Sequence, residues 1–202
     1  MDAPQTGLPN HARGVYARWV KPVFDVAVGI VVAIVLSPIA LVVAIAILVD
    51  DGRPVLFRQQ RTGRDGSAFM INKFRSMPTG VGNIESAEAA DLPVTRVGAF
   101  IRRFSLDEVP QLINVLNGSM SFVGPRPPLP SQVELIEIRR ANGALALRPG
   151  LTGLAQLKGY DFMPTAEKAL LDGEYARSIS FTRDMSLLFL TVPYLLHPPP
   201  RY

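Results

Sequence analysis

The chain has 202 residues, 48% of them hydrophobic and 19% charged, with a formal net charge of +4 and no cysteine. That length suits one domain, and the balance is too apolar for an ordinary cytosolic domain yet too charged for a polytopic membrane protein. Disulfide frameworks and thiolate chemistry are excluded, while the basic balance favours acidic partners: nucleic acid, anionic lipid head groups or phosphorylated substrates.

Residues 1–20 read as an N-terminal tail. Apolar residues then concentrate between Val23 and Val49, with no charge from Val26 to Val49. A helix over that uncharged run reaches roughly 36 Å, enough to cross hydrocarbon about 30 Å thick. Ser37-Pro38 sits near its middle. Proline there removes a backbone donor and kinks the helix, and the Ser37 hydroxyl can re-bond a freed carbonyl. Arg13, Arg18 and Lys21 precede the run; Arg53, Arg58, Arg61 and Arg64 follow it. The positive-inside rule assigns both flanks to the cytoplasm. A re-entrant hairpin over 21–50, bent at Ser37-Pro38, satisfies both. A spanning helix with a harmless kink is the plainer alternative.

Residues 51–202 read as a catalytic or binding unit. Asp50 to Pro54 form a turn at the membrane exit. Two short strands follow around Gly63 to Gly66. Thr79 to Leu92 is polar and alanine-rich, a loop or short helix. A helix is expected over Val94–Phe104, then a second through Leu106, Val109, Leu112, Ile113 and Leu116, ended by Asn117-Gly118. "SFVGPRPPLP" is a stiff proline-rich loop, Ser131–Asn142 a charged helix, Arg148-Pro149-Gly150 a turn, and Glu167–Arg177 a helix. Leu187–Leu196 is too short to span and either lies in the membrane interface or packs in the core. The expected fold is therefore α+β and mostly helical: a re-entrant membrane hairpin plus a cytosolic domain with short strands and interfacial helices.

"SLDEVPQL" places two carboxylates, Asp107 and Glu108, side by side. Ser-x-x-Glu before an apolar run matches a capping box, with Ser105 as cap and Glu108 reaching back. That reading leaves Arg102, about one turn earlier, without a use. A catalytic reading employs all three: a carboxylate can attack phosphorus or hold Mg²⁺ against a diphosphate, while Arg102 grips phosphate oxygens. Neighbouring positions on a helix diverge by about 100°, so the two acids are expected to divide their roles. Lys73 and Arg75, two apart on a presumed strand, face one side and add charge to a phosphate site or to a solvated face. Arg126 sits between Pro125 and Pro127, whose rings fix φ, and is a preorganised grip for phosphate or base. Arg148 is either another phosphate contact or a turn residue.

Several segments together resemble the bacterial sugar transferase family, the monotopic phosphoglycosyl transferases. They are the apolar run with Ser37-Pro38, "LFRQQRTG", "KFRSM", "IRRFSLDEVPQLINVLNGSMSFVGPRP" (Ile101 to Pro127) and "RPGLTGLAQLKG" (Arg148 to Gly159). The likeness covers roughly residues 20–196. One departure stands out: many members carry Trp and then Asn-Gly-Arg after Thr152-Gly153, where this chain has Leu154 and Lys158-Gly159-Tyr160. That puts sugar specificity in doubt. With no helix or accessory domain before the hairpin, the chain resembles the minimal catalytic form.

The resemblance implies transfer of a sugar phosphate from a UDP-sugar to undecaprenyl phosphate, the first membrane step of glycoconjugate assembly. Asp107 would be the nucleophile and touch Mg²⁺; Glu108 would position or deprotonate the lipid phosphate. The Pro125-Arg126-Pro127 loop would hold the nucleotide. The expected setting is the cytosolic face of the bacterial inner membrane, with anionic lipids as neighbours and the oligomeric state open, a homo-oligomer included. A non-catalytic membrane scaffold with a basic face is the rival. Nucleic-acid binding lacks any motif, and a metal hydrolase is poorly served by two histidines, His11 and His197, at opposite ends.

Overall fold

The computed structural model describes residues 14–78, 93–159 and 163–196. The expectations for 1–13, for the polar stretch 79–92, for Tyr160 and for His11 and His197 lie outside the described residues. Among the described residues the fold is mostly helical, with four short strands.

A π-helical turn, Tyr16–Val20, leads straight into α1, Lys21–Asp51. Together they form a 36-residue apolar element, with a mean hydropathy of 3.1 in its most apolar window, long enough to cross a membrane. Only 11% of that window is buried within the protein. Its buried positions, Lys21, Asp25, Gly29, Val43 and Ile47, fall on one helical stripe. Leu36, Ala40 and Ala44 fill the stripe between them. The stripe follows the rest of the molecule along the whole helix. At Gly29 an added Cβ would come within 3.1 Å of Leu116 Cδ2, so glycine allows this close approach.

The expected break at Ser37-Pro38 takes a different form. α1 runs through both residues without an interruption of the helix. Pro38 has no N–H for the carbonyl of Ile34, four residues back. Ser37 Oγ donates to that same carbonyl at 2.8 Å, so the donor lost at proline is replaced one residue earlier. Both ends of the helix are tied to one body. Near its start, Lys21 Nζ and Tyr16 Oη donate to Asp184 at 2.5 and 2.6 Å. At its exit, Arg75 Nη2 donates to the carbonyls of Asp51 and Gly52 at 2.6 and 2.9 Å.

β1 (Leu56–Thr62) and β2 (Ala68–Phe74) pair antiparallel, with Phe57 opposite Lys73, as the sequence suggests. α2 (Arg96–Arg103) starts at Thr95, whose Oγ1 caps Gly98 N at 2.9 Å. A 3₁₀ segment, Leu106–Gln111, then leads into α3, Leu112–Leu116.

The proline-rich stretch differs from expectation. It opens with a strand, β3 (Ser121–Val123), before α4 (Val133–Asn142). Arg148-Pro149-Gly150 is not a closed turn but the entry to β4 (Gly150–Thr152), which pairs parallel with β3. Three-residue strands are too short to display a period of two. They lie so close that an added Cβ at Gly150 would sit 2.1 Å from Gly124 N. α5 (Leu154–Gly159), unforeseen, precedes α6 (Thr165–Ser178) and α7 (Phe181–Leu196). In α7, Leu187 is buried while Phe189, Leu190 and Val192 are exposed. The final apolar run thus packs one face on the core and presents the other outward.

Candidate active site

The acidic pair is carried by a distorted turn. Ser105 adopts a left-handed conformation (φ 53°), and Pro110, lacking an N–H, lies within the 3₁₀ segment. No capping box forms: the Ser105 side chain makes no cap bond. Glu108 instead accepts from Lys73 Nζ at 2.7 Å and from Arg126 Nη2 at 3.2 Å, both on Oε1. Two charge-assisted bonds outcompete a reach back to a neutral amide.

Each partner is delivered by a different element. Lys73 comes from β2, Arg102 from the last turn of α2, and Arg126 from the loop after β3. Asn114 of α3 fixes β2 beside the acidic turn. Its Nδ2 donates to the Met70 carbonyl at 2.7 Å, and its Oδ1 accepts from the backbone N and Nδ2 of Asn72, both at 3.2 Å.

The two acids occupy opposite electrostatic states. Burial raises the Asp107 pKa to about 6; Lys73 pulls it down, Glu108 pushes it up, and Arg102 and Arg126 pull it down again. Burial would raise Glu108 too, but Lys73 and Arg126 outweigh it and hold it at about 2. Glu108 is therefore an ionised bridge and a poor base. No hydrogen bond to the half-buried Asp107 carboxylate is made among the described residues. An ionised, unbonded carboxylate with raised proton affinity, ringed by three cations, is equipped to attack an anionic phosphorus centre.

The Pro125-Arg126-Pro127 backbone is held at successive carbonyls. Gly150 N donates to Pro125 O at 2.9 Å, Arg139 Nη1 to Arg126 O at 2.8 Å, and Arg61 Nη1 to Pro127 O at 3.1 Å. Arg139 is itself locked to Asp172 of α6, its Nε and Nη2 donating to Oδ2 at 2.8 and 2.5 Å, with both side chains 2% exposed. The sequence reading missed Arg139, Asp172 and Asn114. Their signal was a polar residue at the core-facing phase of a helix: Arg139 follows Leu135 and Ile136, and Asp172 follows Ala169.

Two candidates go elsewhere. Arg75 lies just beyond β2; its Nη2 serves the exit of α1, including the Asp51 carboxylate at 2.9 Å. Arg148 lines a separate cavity with Arg18, Lys21 and Arg64. The structure thus gathers Asp107, Glu108, Lys73, Arg102 and Arg126, and leaves Arg75 and Arg148 outside.

Among the described residues no group of three or more metal-binding side chains converges. Mg²⁺ does not require one, since one or two carboxylates plus substrate phosphates commonly hold it. The unbonded Asp107 carboxylate fits that pattern.

The model of the bacterial sugar transferase family matches residues 16–198. The chain belongs to that family. This sugar transferase family member is 38% identical over 192 residues to the undecaprenyl-phosphate glucose phosphotransferase of Komagataeibacter xylinus, covering 85% of this chain and 35% of that protein. It is 39% identical over 186 residues to the UDP-glucose:undecaprenyl-phosphate glucose-1-phosphate transferase of Escherichia coli K12, covering 87% of this chain and 40% of that one. It is 35% identical over 190 residues to the exopolysaccharide production protein ExoY of Sinorhizobium fredii, covering 86% and 84%. The sugar transferase chain therefore spans little more than a third of the first two relatives and most of the third.

Proposed function

We propose that this chain moves a sugar-1-phosphate from a UDP-sugar to undecaprenyl phosphate through a covalent intermediate on Asp107. The state of Asp107 carries the reading: its carboxylate accepts no hydrogen bond among the described residues, is ionised at neutral pH and is surrounded by Lys73, Arg102 and Arg126. In the first step an Asp107 oxygen bonds to the sugar-bearing phosphorus, and the bond from that phosphorus to UMP breaks. In the second, an oxygen of undecaprenyl phosphate attacks the same phosphorus and releases the carboxylate. One diphosphate bond is exchanged for another, so no other energy source is needed. Arg102 and Arg126 grip the phosphate oxygens, and Arg126, on its pinned backbone, is preorganised for the nucleotide side. Glu108 holds Lys73 and Arg126 in register rather than removing a proton. Mg²⁺, held by Asp107 and the substrate diphosphate, would screen charge on the departing UMP.

The names of the relatives make UDP-glucose the first donor to test. The purified chain with Mg²⁺, undecaprenyl phosphate and UDP-glucose should release UMP. Asp107→Asn, still folded, should lose about 10³-fold or more. Release of UDP in place of UMP would overturn the reading.

The membrane arrangement belongs to the same reading. Both ends of α1 are fastened to one body, and both flanks are basic. This supports a helix that enters and leaves on the cytosolic side of the inner membrane. The carboxylate then lies level with lipid phosphates, converting a search in volume into one along a surface. The basic flanks add attraction for anionic lipids.

A further inference from the structure

Directly opposed residues of an antiparallel pair share a face of the sheet. Phe57, Gln59 and Arg61 of β1 stand opposite Lys73, Ile71 and Phe69 of β2. One end of this face is held to the proline-rich loop. Arg61 Nη1 donates to the Pro127 carbonyl at 3.1 Å, and Thr62 N to the Pro128 carbonyl at 2.9 Å. The middle is closed, since Ile71 and Gln59 are buried. At the other end Lys73 Nζ reaches Glu108 at 2.7 Å, and Phe57 stands beside Lys73.

The preceding residues, Val55 and Leu56, pack with Val43 and Ile47 of α1. Phe57 points to the opposite face of the strand from Leu56. It is half-buried and belongs to neither apolar cluster among the described residues. A large, wholly apolar ring therefore stands next to the lysine that serves the acidic pair. Phosphate groups alone have no use for such a surface, whereas covering it with hydrocarbon is favourable in proportion to the area removed from water. The membrane lies on that side. β1 starts at the exit of α1, where Arg75 N donates to the Val55 carbonyl and Arg75 Nη2 to the Gly52 carbonyl, both at 2.9 Å. Phe57 follows Gly52 by five residues, so its Cα lies within about 18 Å of that exit. Arg61, which holds the loop, is about 14 Å further along the strand. Of the two substrates, only the lipid acceptor carries hydrocarbon directly behind its phosphate.

We propose that Phe57 contacts the isoprene units nearest the phosphate of the polyprenyl acceptor and is a specificity-determining residue for that lipid. The contact deepens the transfer reading of the site and rests on it. The acceptor phosphate meets the cations around Asp107, and the first stretch of its tail crosses the Phe57 ring on the way to the membrane.

The test measures UMP release by the full chain in detergent with Mg²⁺, varying undecaprenyl phosphate and UDP-glucose separately. Phe57→Ala should raise KM for undecaprenyl phosphate about tenfold or more, with KM for UDP-glucose within about twofold of the parent. Phe57→Leu, which keeps an apolar wall, should recover most of the loss. If Phe57→Ala does not fold by circular dichroism, Phe57→Gln, longer but polar, carries the same expectation. An unchanged acceptor KM overturns the proposal. A rise confined to UDP-glucose gives the ring to the base or the sugar, and an equal rise for both substrates makes it structural; either overturns it too. Retention of undecaprenyl phosphate in native mass spectrometry reads the same contact without turnover. A parent that holds the lipid yet releases no UMP defeats the transfer reading, equal retention by Phe57→Ala defeats the Phe57 contact, and no retention by the parent defeats both.

Discussion

Glu108 Oε1 receives both Lys73 and Arg126, whereas the Asp107 carboxylate accepts no hydrogen bond among the described residues. The difference has a kinetic signature. In the proposed transfer Asp107 acts deprotonated, and its pKa is raised to about 6. Activity should therefore be full above that value and fall about tenfold per pH unit below it, in kcat/KM of the free enzyme. Glu108→Gln removes the negative neighbour that raises Asp107, so the acid limb should move to lower pH, by about one unit. A limb that stays in place would remove Glu108 from the electrostatics of the site. Arg139 acts one step further out, by holding the Arg126 carbonyl. Arg139→Lys can keep charge against Asp172 but cannot also reach that carbonyl. It should raise KM for the UDP-sugar with little change in Tm, and have no added effect in an Arg126→Ala background. Arg139→Ala leaves a buried carboxylate alone and should cost about 3–5 kcal/mol of stability. Asp107 and Glu108 were visible in the sequence as a pair, but their division of labour was not. It depends on Lys73 and Arg126, 35 and 18 residues away from Glu108, and on burial that local pattern does not encode.

At the scale of elements, α1 is the part most plainly written in the chain. An uncharged run of that length admits few alternatives, and Ser37 was legible as the donor for a carbonyl freed by Pro38. The placing of its two ends was less so, because contacts with distant residues fix where each end sits. Those contacts give a topological prediction. With no native cysteine, Val20→Cys and Arg53→Cys, at the two ends of α1, provide clean labels. Both should resist an impermeant maleimide applied to intact spheroplasts and react in inverted vesicles. Labelling of either one from outside would make α1 a spanning helix. The capping box failed for a tertiary reason: Glu108 had stronger partners than its own helix. β3 and β4 went unread because a three-residue parallel pair owes its existence to the close approach at Gly150. Arg75 was misplaced because, just past the end of β2 at Phe74, its guanidinium is taken by the Asp51 and Gly52 carbonyls at the exit of α1.

Over the whole molecule, one apolar helix and a small mostly helical body share a continuous seam, and the cluster around Asp107 sits where α2, β2, the 3₁₀ turn and the Pro-Arg-Pro loop meet. The family was legible from ordered motifs spread along the chain, and several of them meet at that point: Lys73, Arg102, Asp107, Glu108 and Arg126 come together there, with Arg61 holding the Pro127 carbonyl. Arg148 is the exception, since its motif builds β4 while its side chain enters the second cavity. Covalent relay through Asp107 is the claim on which the account stands, and it separates from direct transfer when the acceptor is withheld. Intact-mass measurement after UDP-glucose and Mg²⁺ alone should show one hexose phosphate added, located on the peptide containing Asp107 and missing in Asp107→Asn. A chain that gains no such mass, and frees UMP only when undecaprenyl phosphate is present, would contradict it.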